Sequence, residues 1–320
     1  LFRSYLHKGM LVVLESTTYP GTTEEVLKPI LEESGLKCGV DFFLAFSPER
    51  IDPGNKQFNT KNTPKVVGGC TKDCTEVAGM LYRSVLEGDI LEVSSPAVAE
   101  MEKILENTFR NVNIALANEM AILCKRMNID IWEVIDAAKT KPYGFMPFYP
   151  GPGLGGHCIP LDPFYLEWKA KEFDYHTKLI EASGIINDYM PEFVLENVMK
   201  LLNGQKKALN GSKVLLMGAA YKKDIDDMRE SPTLKVIEQL EKNGADIIVN
   251  DPFIPEFTHN GKEYITVSWE DKIKSADIVI ITTDHSSYDY ERIVAESPLL
   301  YDTRNATKYV VNNREKINKL

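Results

Sequence analysis

A chemical reading of this sequence gathers around Cys158. It lies in Gly151-Pro152-Gly153-Leu154-Gly155-Gly156-His157-Cys158-Ile159-Pro160-Leu161-Asp162-Pro163, which sets four glycines, one thiol and one carboxylate among prolines. Glycine admits positive φ and lets backbone N–H groups approach a ligand closely. The prolines at 150, 152, 160 and 163 predict a loop with no regular helix or central strand through it. A thiol there, with Asp162 four residues on, suits a nucleophile held against a bound substrate. A tight structural loop around a buried, inert Cys suits the same residues.

Gly151-x-Gly153-x-x-Gly156 also matches the dinucleotide fingerprint letter by letter. That fingerprint works only between a strand and the helix it opens. Phe145-Met146-Pro147-Phe148-Tyr149-Pro150 has two prolines and no strand alternation, so the dinucleotide reading is rejected. Gly218-Ala219-Ala220 lacks the full pattern as well.

Other polar groups recur at informative places. Lys103, Asn107 and Asn111 stand at i, i+4 and i+8, on one helix face. Spacing alone favours a solvated stripe over a ligand-facing one. Thr17 follows the apolar run Met10–Leu14, and Ser47-Pro48-Glu49-Arg50 follows Asp41–Phe46. Ligands in open α/β sheets bind beyond the carboxyl ends of strands; helix capping by the hydroxyls is the plainer use of Thr17. Lys222 follows the run Lys213–Gly218, and Arg304 follows Leu299–Tyr301. Pairing of Lys222 and Lys223 with Asp224, Asp226 and Asp227 in a solvated loop is the alternative.

The Cys158 loop resembles that of the nucleotide-sugar 6-dehydrogenases, the UDP-glucose/GDP-mannose dehydrogenase family, whose catalytic Cys sits in a Gly-Gly-x-Cys loop with an Asp four residues on. Thr140–Pro150 and Phe164–Ala170 look most like the UDP-N-acetylglucosamine branch, and the likeness runs over essentially all 320 residues. The resemblance implies an NAD-dependent, four-electron oxidation of a sugar C6 alcohol to a carboxylate, on a UDP-N-acetylhexosamine. Cys158 would carry the thioester. Ala99-Glu100-x-x-Lys103-x-x-x-Asn107-Thr108-Phe109 is similar to the family helix whose Lys and Asn reach the active site. Lys103 would stabilise an oxyanion and, as an adjacent cation, help lower the thiol pKa; Asn107 would orient substrate and water. Asp162, Glu49 and Thr17 would handle water, with Thr17 also touching the nicotinamide end of NAD. Tyr149, Gly151, Gly153, Gly155, Lys222 and Arg304 would contact the UDP-sugar; Cys158 and Arg229 would lie on the NAD side. A family acidic position falls at Pro53, which disfavours UDP-glucose. The strand, glycine-rich turn and helix that cradle the NAD pyrophosphate are expected before Leu1. Without them, a non-catalytic UDP-sugar-binding protein is the rival reading. An epimerase is disfavoured because no Tyr-x-x-x-Lys pair is found.

These residues need an α/β frame. Strands at 10–14, 41–46, 65–69 and 90–93, with helices at 24–35 and 73–84, make part of a Rossmann-like NAD domain over 1–95. Ser95-Pro96 is a strong helix start. Val98, Met101, Leu105, Phe109, Val112, Leu116, Met120 and Leu123 then predict a long amphipathic helix to Met127, able to link domains and supply a dimer surface. Further helices at 130–138 and 164–203 complete a central helical domain over 96–205. Strands at 213–218, 246–250, 277–282 and 299–301, alternating with a helix at 232–243, make a second Rossmann-like domain over 206–320 for the UDP-sugar.

Composition bounds the rest. A net charge of −10 argues against nucleic-acid or membrane-surface binding and requires local Lys and Arg for an anionic nucleotide. No apolar run is long enough to span a membrane. Five scattered cysteines argue for a reducing cytoplasm rather than a disulfide scaffold. Cys70 and Cys74 lack a second Cys or His pair in the sequence nearby, so no zinc site is expected. A homodimer or larger homo-oligomer is expected from the long helix.

Overall fold

The structure is a computed structural model describing every residue except Leu1, Asp52, Pro53, Gly54 and His157. The reading at Pro53 therefore falls outside the described residues. The chain forms two compact units. Unit 1 is Leu1–Arg110 with Leu161–Ile180, and unit 2 is Asn111–Pro160 with Glu181–Leu320.

In chain order, β1 (Leu11–Ser16) leads through a π-helical turn (Thr22–Leu27) into α1 (Lys28–Glu32). β2 (Phe43–Pro48), β3 (Lys65–Gly69), α2 (Lys72–Val85) and β4 (Ile90–Val93) follow, then α3 (Pro96–Met127), α4 (Ile131–Ala138), α5 (Asp162–Ala170) and α6 (Lys178–Gly204). The remainder is β5 (Lys213–Met217), α7 (Pro232–Lys242), β6 (Asp246–Asn250), β7 (Glu256–His259), β8 (Lys262–Ile265), β9 (Ile278–Ile281), α8 (Tyr290–Glu296), β10 (Leu300–Asp302) and β11 (Ile317–Lys319). Helix starts follow local chemistry. Thr71, Asp130, Ser231 and Asp289 each accept a backbone N–H at their N-caps, and Ser95 Oγ accepts from Val98.

Unit 1 holds a four-stranded sheet in the order β1-β2-β3-β4. Its outer pairs are parallel and its middle pair, β2 with β3, is antiparallel. Unit 2 holds a five-stranded, all-parallel sheet in the order β11-β10-β9-β5-β6. Side chains of its strands alternate between two cores. Val214, Leu216, Ile278 and Ile280 pack with α6 and α7, while Leu215, Met217, Val279 and Ile281 pack with α8 and Trp269. That is a doubly wound α/β layer.

Several expectations need correction. Pro163 does not keep helix out of the Cys158 loop's end: α5 begins at Asp162, and a Pro in the first turn costs no hydrogen bond. The helix expected at 24–35 starts earlier, as a π-turn, and stops at Glu32. β2 continues through Pro48, so only Glu49 and Arg50 lie past the strand end. The expected helix over 164–203 is two, broken between Ala170 and Lys178. Along α3 the polar stripe is the buried face, not a solvated one, and the apolar stripe is the exposed face. Val98, Met101, Leu105, Phe109, Leu116 and Leu123 are exposed, whereas Glu100, Lys103, Asn107, Asn111 and Asn118 are buried. Small residues (Ala99, Ala115, Ala117, Ala121) accompany these polar groups inward, and hydrogen bonds replace apolar contact on that face.

Candidate active site

In unit 1 the buried face of α3 organises the polar groups. Glu100 captures the loop after β1: its carboxylate accepts from the backbone N–H of Gly21 (2.6 Å) and Thr23 (2.9 Å) and from the Thr23 hydroxyl (2.6 Å). Thr17 lies in that loop, directly after Ser16, whose φ of 85° is unusual for a residue with a side chain. The Ser16 carbonyl accepts from the Glu49 N–H (3.3 Å), so the segments carrying Thr17 and Glu49 leave paired strands side by side. Glu49 itself is exposed, and its carboxylate accepts from its near neighbour Ile51 N–H.

One turn along from Lys103, Asn107 Nδ2 donates to Asp162 Oδ2 at 2.6 Å. Asp162 is 4% exposed, at the first position of α5. Lys103 is 8% exposed and forms no salt bridge among the described residues. Its charge acts on the neighbouring Glu102 and Glu106 carboxylates, favouring their ionised forms. On the flank of α3, Arg50 bonds Glu106 (2.6 Å) and approaches Glu102 (3.5 Å). Burial and then the hydrogen bond to Glu106 push the Glu102 carboxyl up to about 7, while Arg50 holds Glu106 below the usual range against the effect of burial.

In unit 2 the Cys158 loop is fastened at both ends by α3. The Asn118 carbonyl accepts from Gly151 N–H (3.0 Å), and Asn111 Nδ2 donates to the Ile159 carbonyl (3.0 Å). Ser183 and Asn187 on α6 orient those two amides. A Cβ on Gly151 would stand 2.6 Å from the Arg304 guanidinium, and one on Gly155 would stand 2.7 Å from Pro232 and 2.9 Å from Tyr221. Glycine is therefore required for the loop to approach the strand-end groups of this sheet. Gly153 has a φ of 143° and is buried; Cys158 is half-buried.

Arg304 is fixed by Nε to the Thr282 carbonyl (2.9 Å), with its backbone N–H on Asp302 (2.9 Å). Burial lowers its pKa, opposed by Asp284 and Asp302. Beside it opens a cavity of about 600 Å³ lined by Trp132, Tyr149, Lys223, His285, Arg304 and Tyr309 among others. The Trp132 and Tyr149 rings stack there, centroids 6.0 Å apart. Lys223 lines this cavity, whereas Lys222 is only half-buried nearby in the chain. Arg229 is paired with Asp227 (2.7 Å). Asp227 engages Arg229, and Asp224 accepts from Ser286, which together with nearby His285 and Lys223 holds its carboxyl below the usual range.

The structure thus assembles Thr17 with Glu49, and Asn107 with Asp162, in unit 1. It assembles Tyr149 and Gly151 with Arg304, and Gly155 with the turn after β5, in unit 2. The sequence reading missed Glu100, Asn118, Asp251 and His285. Asn118 was findable, since it extends the Asn107–Asn111 face by seven residues. It also missed that Cys38 stands beside Cys70 and Cys74; the contact with Cys70 pushes the Cys38 thiol up to about 11. Among the described residues no group of side chains forms a metal site and no cysteine is in a disulfide.

The comparisons with known proteins are decisive for the family. Residues 2–86, 97–189 and 215–309 match the NAD binding, central and UDP binding domains of the UDP-glucose/GDP-mannose dehydrogenase family. This chain belongs to that family. It is 38% identical to Protein CapL of Staphylococcus aureus over 95% of this chain and 72% of that protein. It is 40% identical to the UDP-N-acetyl-D-glucosamine 6-dehydrogenase of Pseudomonas aeruginosa over 89% of this chain, spanning 64% of that enzyme. The solved UDP-D-ManNAc dehydrogenase of Pyrococcus horikoshii superposes with a TM-score of 0.87 at 33% identity, over 99% of this chain and 74% of that one. The fold is accordingly that of the NAD-dependent nucleotide-sugar dehydrogenases. No helix among the described residues is long and apolar enough to cross a membrane.

Proposed function

We propose that this chain serves the oxidation of the C6 hydroxyl of a UDP-N-acetylhexosamine, most simply UDP-N-acetylglucosamine, to the uronic acid, as a precursor for surface polysaccharide. The observation that carries this reading is the Cys158 loop, tied by Asn111 and Asn118 and laid against Arg304. The related enzymes whose names specify glucosamine or mannosamine substrates support the N-acetylhexosamine class.

The carboxyl ends of the parallel strands β1 and β2, with Thr17, Glu49 and the unusual backbone at Ser16, fit the reacting end of NAD. NAD, when bound, would accept one hydride from C6, and a second NAD, bound in turn, would accept the other. In the reading proposed here, the alcohol proton passes to water held by Asp162 and Lys103. Cys158 Sγ adds to the resulting aldehyde carbon, and loss of the second hydride leaves a thioester on that sulfur. Water ordered by Glu49, Thr17 and Asp162 attacks the thioester carbonyl. The C–S bond breaks, Cys158 leaves as thiolate, and the uronate is released. Tyr149, Gly151, Gly153, Gly155, Lys222 and Arg304 hold the UDP-sugar, and Arg229 faces the cofactor. The proposed domains are 1–95 for NAD, 96–205 central and 206–320 for UDP-sugar. The proposed assembly is a homodimer or larger homo-oligomer, in the cytoplasm.

The test is mass spectrometry of Glu49→Gln, made in a full-length protein that includes the expected NAD-cradling turn, mixed with NAD and UDP-N-acetylglucosamine. A covalent adduct of sugar-nucleotide mass on Cys158 is expected, and Cys158→Ala should form neither adduct nor acid. Acid formation at the normal rate by Cys158→Ala overturns the assignment.

A further inference from the structure

Behind the unit 2 cavity lies a buried relay that joins three strand ends. His285, after β9, is fully buried. Its Nδ1 stands 3.0 Å from the backbone nitrogen of Asp224, in the turn after β5. A backbone N–H can only donate, so Nδ1 is the acceptor and the ring proton sits on Nε2. Nε2 lies 3.0 Å from Asp251 Oδ2, after β6. The same oxygen accepts from the N–H groups of Ala219 (2.7 Å) and Ala220 (3.0 Å), and Asp251 Oδ1 accepts from Phe253 (2.8 Å). Phe253 and Tyr288 pack against the imidazole, at centroid distances of 5.0 and 5.5 Å. Both nitrogens are occupied, so His285 acts through its neighbours.

What it holds is the turn that carries Lys222 and Lys223. Asp224 has a φ of 61°, a left-handed conformation that is unfavourable for a non-glycine residue and persists where surroundings fix it. Here the fixing is reciprocal. Asp224 donates its N–H to His285, and its carboxylate accepts from the N–H (2.8 Å) and hydroxyl (2.6 Å) of Ser286. The turn and the segment 284–286 are thereby zipped together, and Lys223 is delivered to the wall that Arg304 also lines. The cavity lining carries three cations, Lys223, Arg304 and Lys308, against two carboxylates, Asp136 and Asp284, and in a chain of net charge −10 that local excess suits a diphosphate.

We propose that His285, as the neutral Nε2–H tautomer, is a positioning residue that sets the cation Lys223 for the diphosphate of the bound nucleotide. The inference rests on the cavity being the nucleotide site, and the test separates the two. UDP binding is measured by calorimetry for the unaltered chain, Arg304→Ala, Lys223→Ala, His285→Asn, His285→Phe and Ser286→Ala. Asn at 285 retains an acceptor near the Nδ1 position; Phe retains none. UDP affinity should fall about tenfold in His285→Phe, which corresponds to about 1.4 kcal/mol, and about threefold in His285→Asn and Ser286→Ala. Affinity for uridine, followed by ligand-observed NMR, should stay unchanged, because the lost contact is to phosphate. Adding His285→Asn to Lys223→Ala should produce no further loss, since the histidine acts through that lysine. Should His285→Phe fail to fold, His285→Asn and Ser286→Ala decide. Unchanged UDP affinity in those two, with Arg304→Ala impaired, overturns the positioning role alone. Equal loss of uridine and UDP affinity also overturns it, in favour of a general structural role. Unchanged affinity in Arg304→Ala overturns the nucleotide site itself.

Discussion

Asp251 and Asp302 in unit 2 differ in kind from Asp162 and Glu102 in unit 1. Asp302 accepts from the N–H groups of Arg304, Ala306 and Thr307 and from the Thr307 hydroxyl. Asp251 accepts from four backbone N–H groups and from His285. Burial opposes its ionisation, but the His285 and backbone donors hold its pKa below the usual carboxylate range. Both carboxylates tie loops to strand ends. In unit 1, Asp162 takes a side-chain amide from Asn107, and Glu102 Oε2 is buried without a partner among the described residues. Polar groups bonded by rigid backbone build a scaffold; polar groups bonded by other side chains can exchange those partners for substrate, water or protons. Under the proposed function, unit 2 would supply a preformed anion wall and unit 1 the titrating chemistry.

The sharpest way to break that contrast is Asp302→Ala. Removing one end of a buried charged network leaves three backbone N–H groups unsatisfied, so stability should fall by about 3–5 kcal/mol, read by urea denaturation. A loss below about 1 kcal/mol, the worth of one ordinary hydrogen bond, would mean that unit 2 is not scaffolded as described. Asp162→Asn should do the reverse. Turnover should drop by about a hundredfold, the scale of a lost proton-handling group, with the melting temperature almost unmoved. Collapse of stability with activity per folded molecule preserved would erase the distinction. Gly151→Ala sharpens the anion-wall half: the new methyl meets the Arg304 guanidinium, so UDP affinity should weaken by about tenfold, or 1.4 kcal/mol.

The smallest effect concerns Glu102. Its folded pKa, about 7, lies above its ordinary value of 4.5, so the folded state keeps a proton that the unfolded chain releases. Its contribution is full below 4.5 and is lost as pH rises through about 7. Glu102→Gln keeps a donor toward Glu106 without titrating. Its melting temperature should decline less than that of the unaltered chain across this interval, by about 1 kcal/mol of stability after solvent screening. Parallel curves would show that Glu102 is ionised throughout.

Much of unit 2 was legible because parallel strands buried on both faces read as continuous apolar runs, as in Lys213–Met217 and Ile278–Ile281. The β7–β8 hairpin was legible too and was overlooked: Asn260-Gly261 sits between its strands, with φ of 50° and 76°. The antiparallel pairing of β2 with β3 left no local mark, since pairing direction depends on the connection between strands. The burial of the polar stripe of α3 was hidden for a stronger reason. Whether Glu100 or Asn111 faces inward depends on partners 77 to 79 and 48 residues away, and periodicity on one helix cannot see them. In the Cys158 loop, glycine spacing identified the loop, but the need for glycine at 151 became visible only with Arg304 beside it.

The division of the chain also has a consequence for its birth on the ribosome. Unit 1 is interrupted by residues 111–160, which belong to unit 2. Synthesis therefore delivers a foreign segment before the last piece of unit 1, Leu161–Ile180, becomes available. That segment contains the glycine-rich loop, whose sheet is translated later still, from Lys213 onward. During this interval the loop has α3 to hold it, through Asn111 and Asn118, but no Arg304 to rest against. The nascent chain must carry an unfinished thiol loop until Arg304 has emerged, an interval in which incompletely packed segments are open to misfolding.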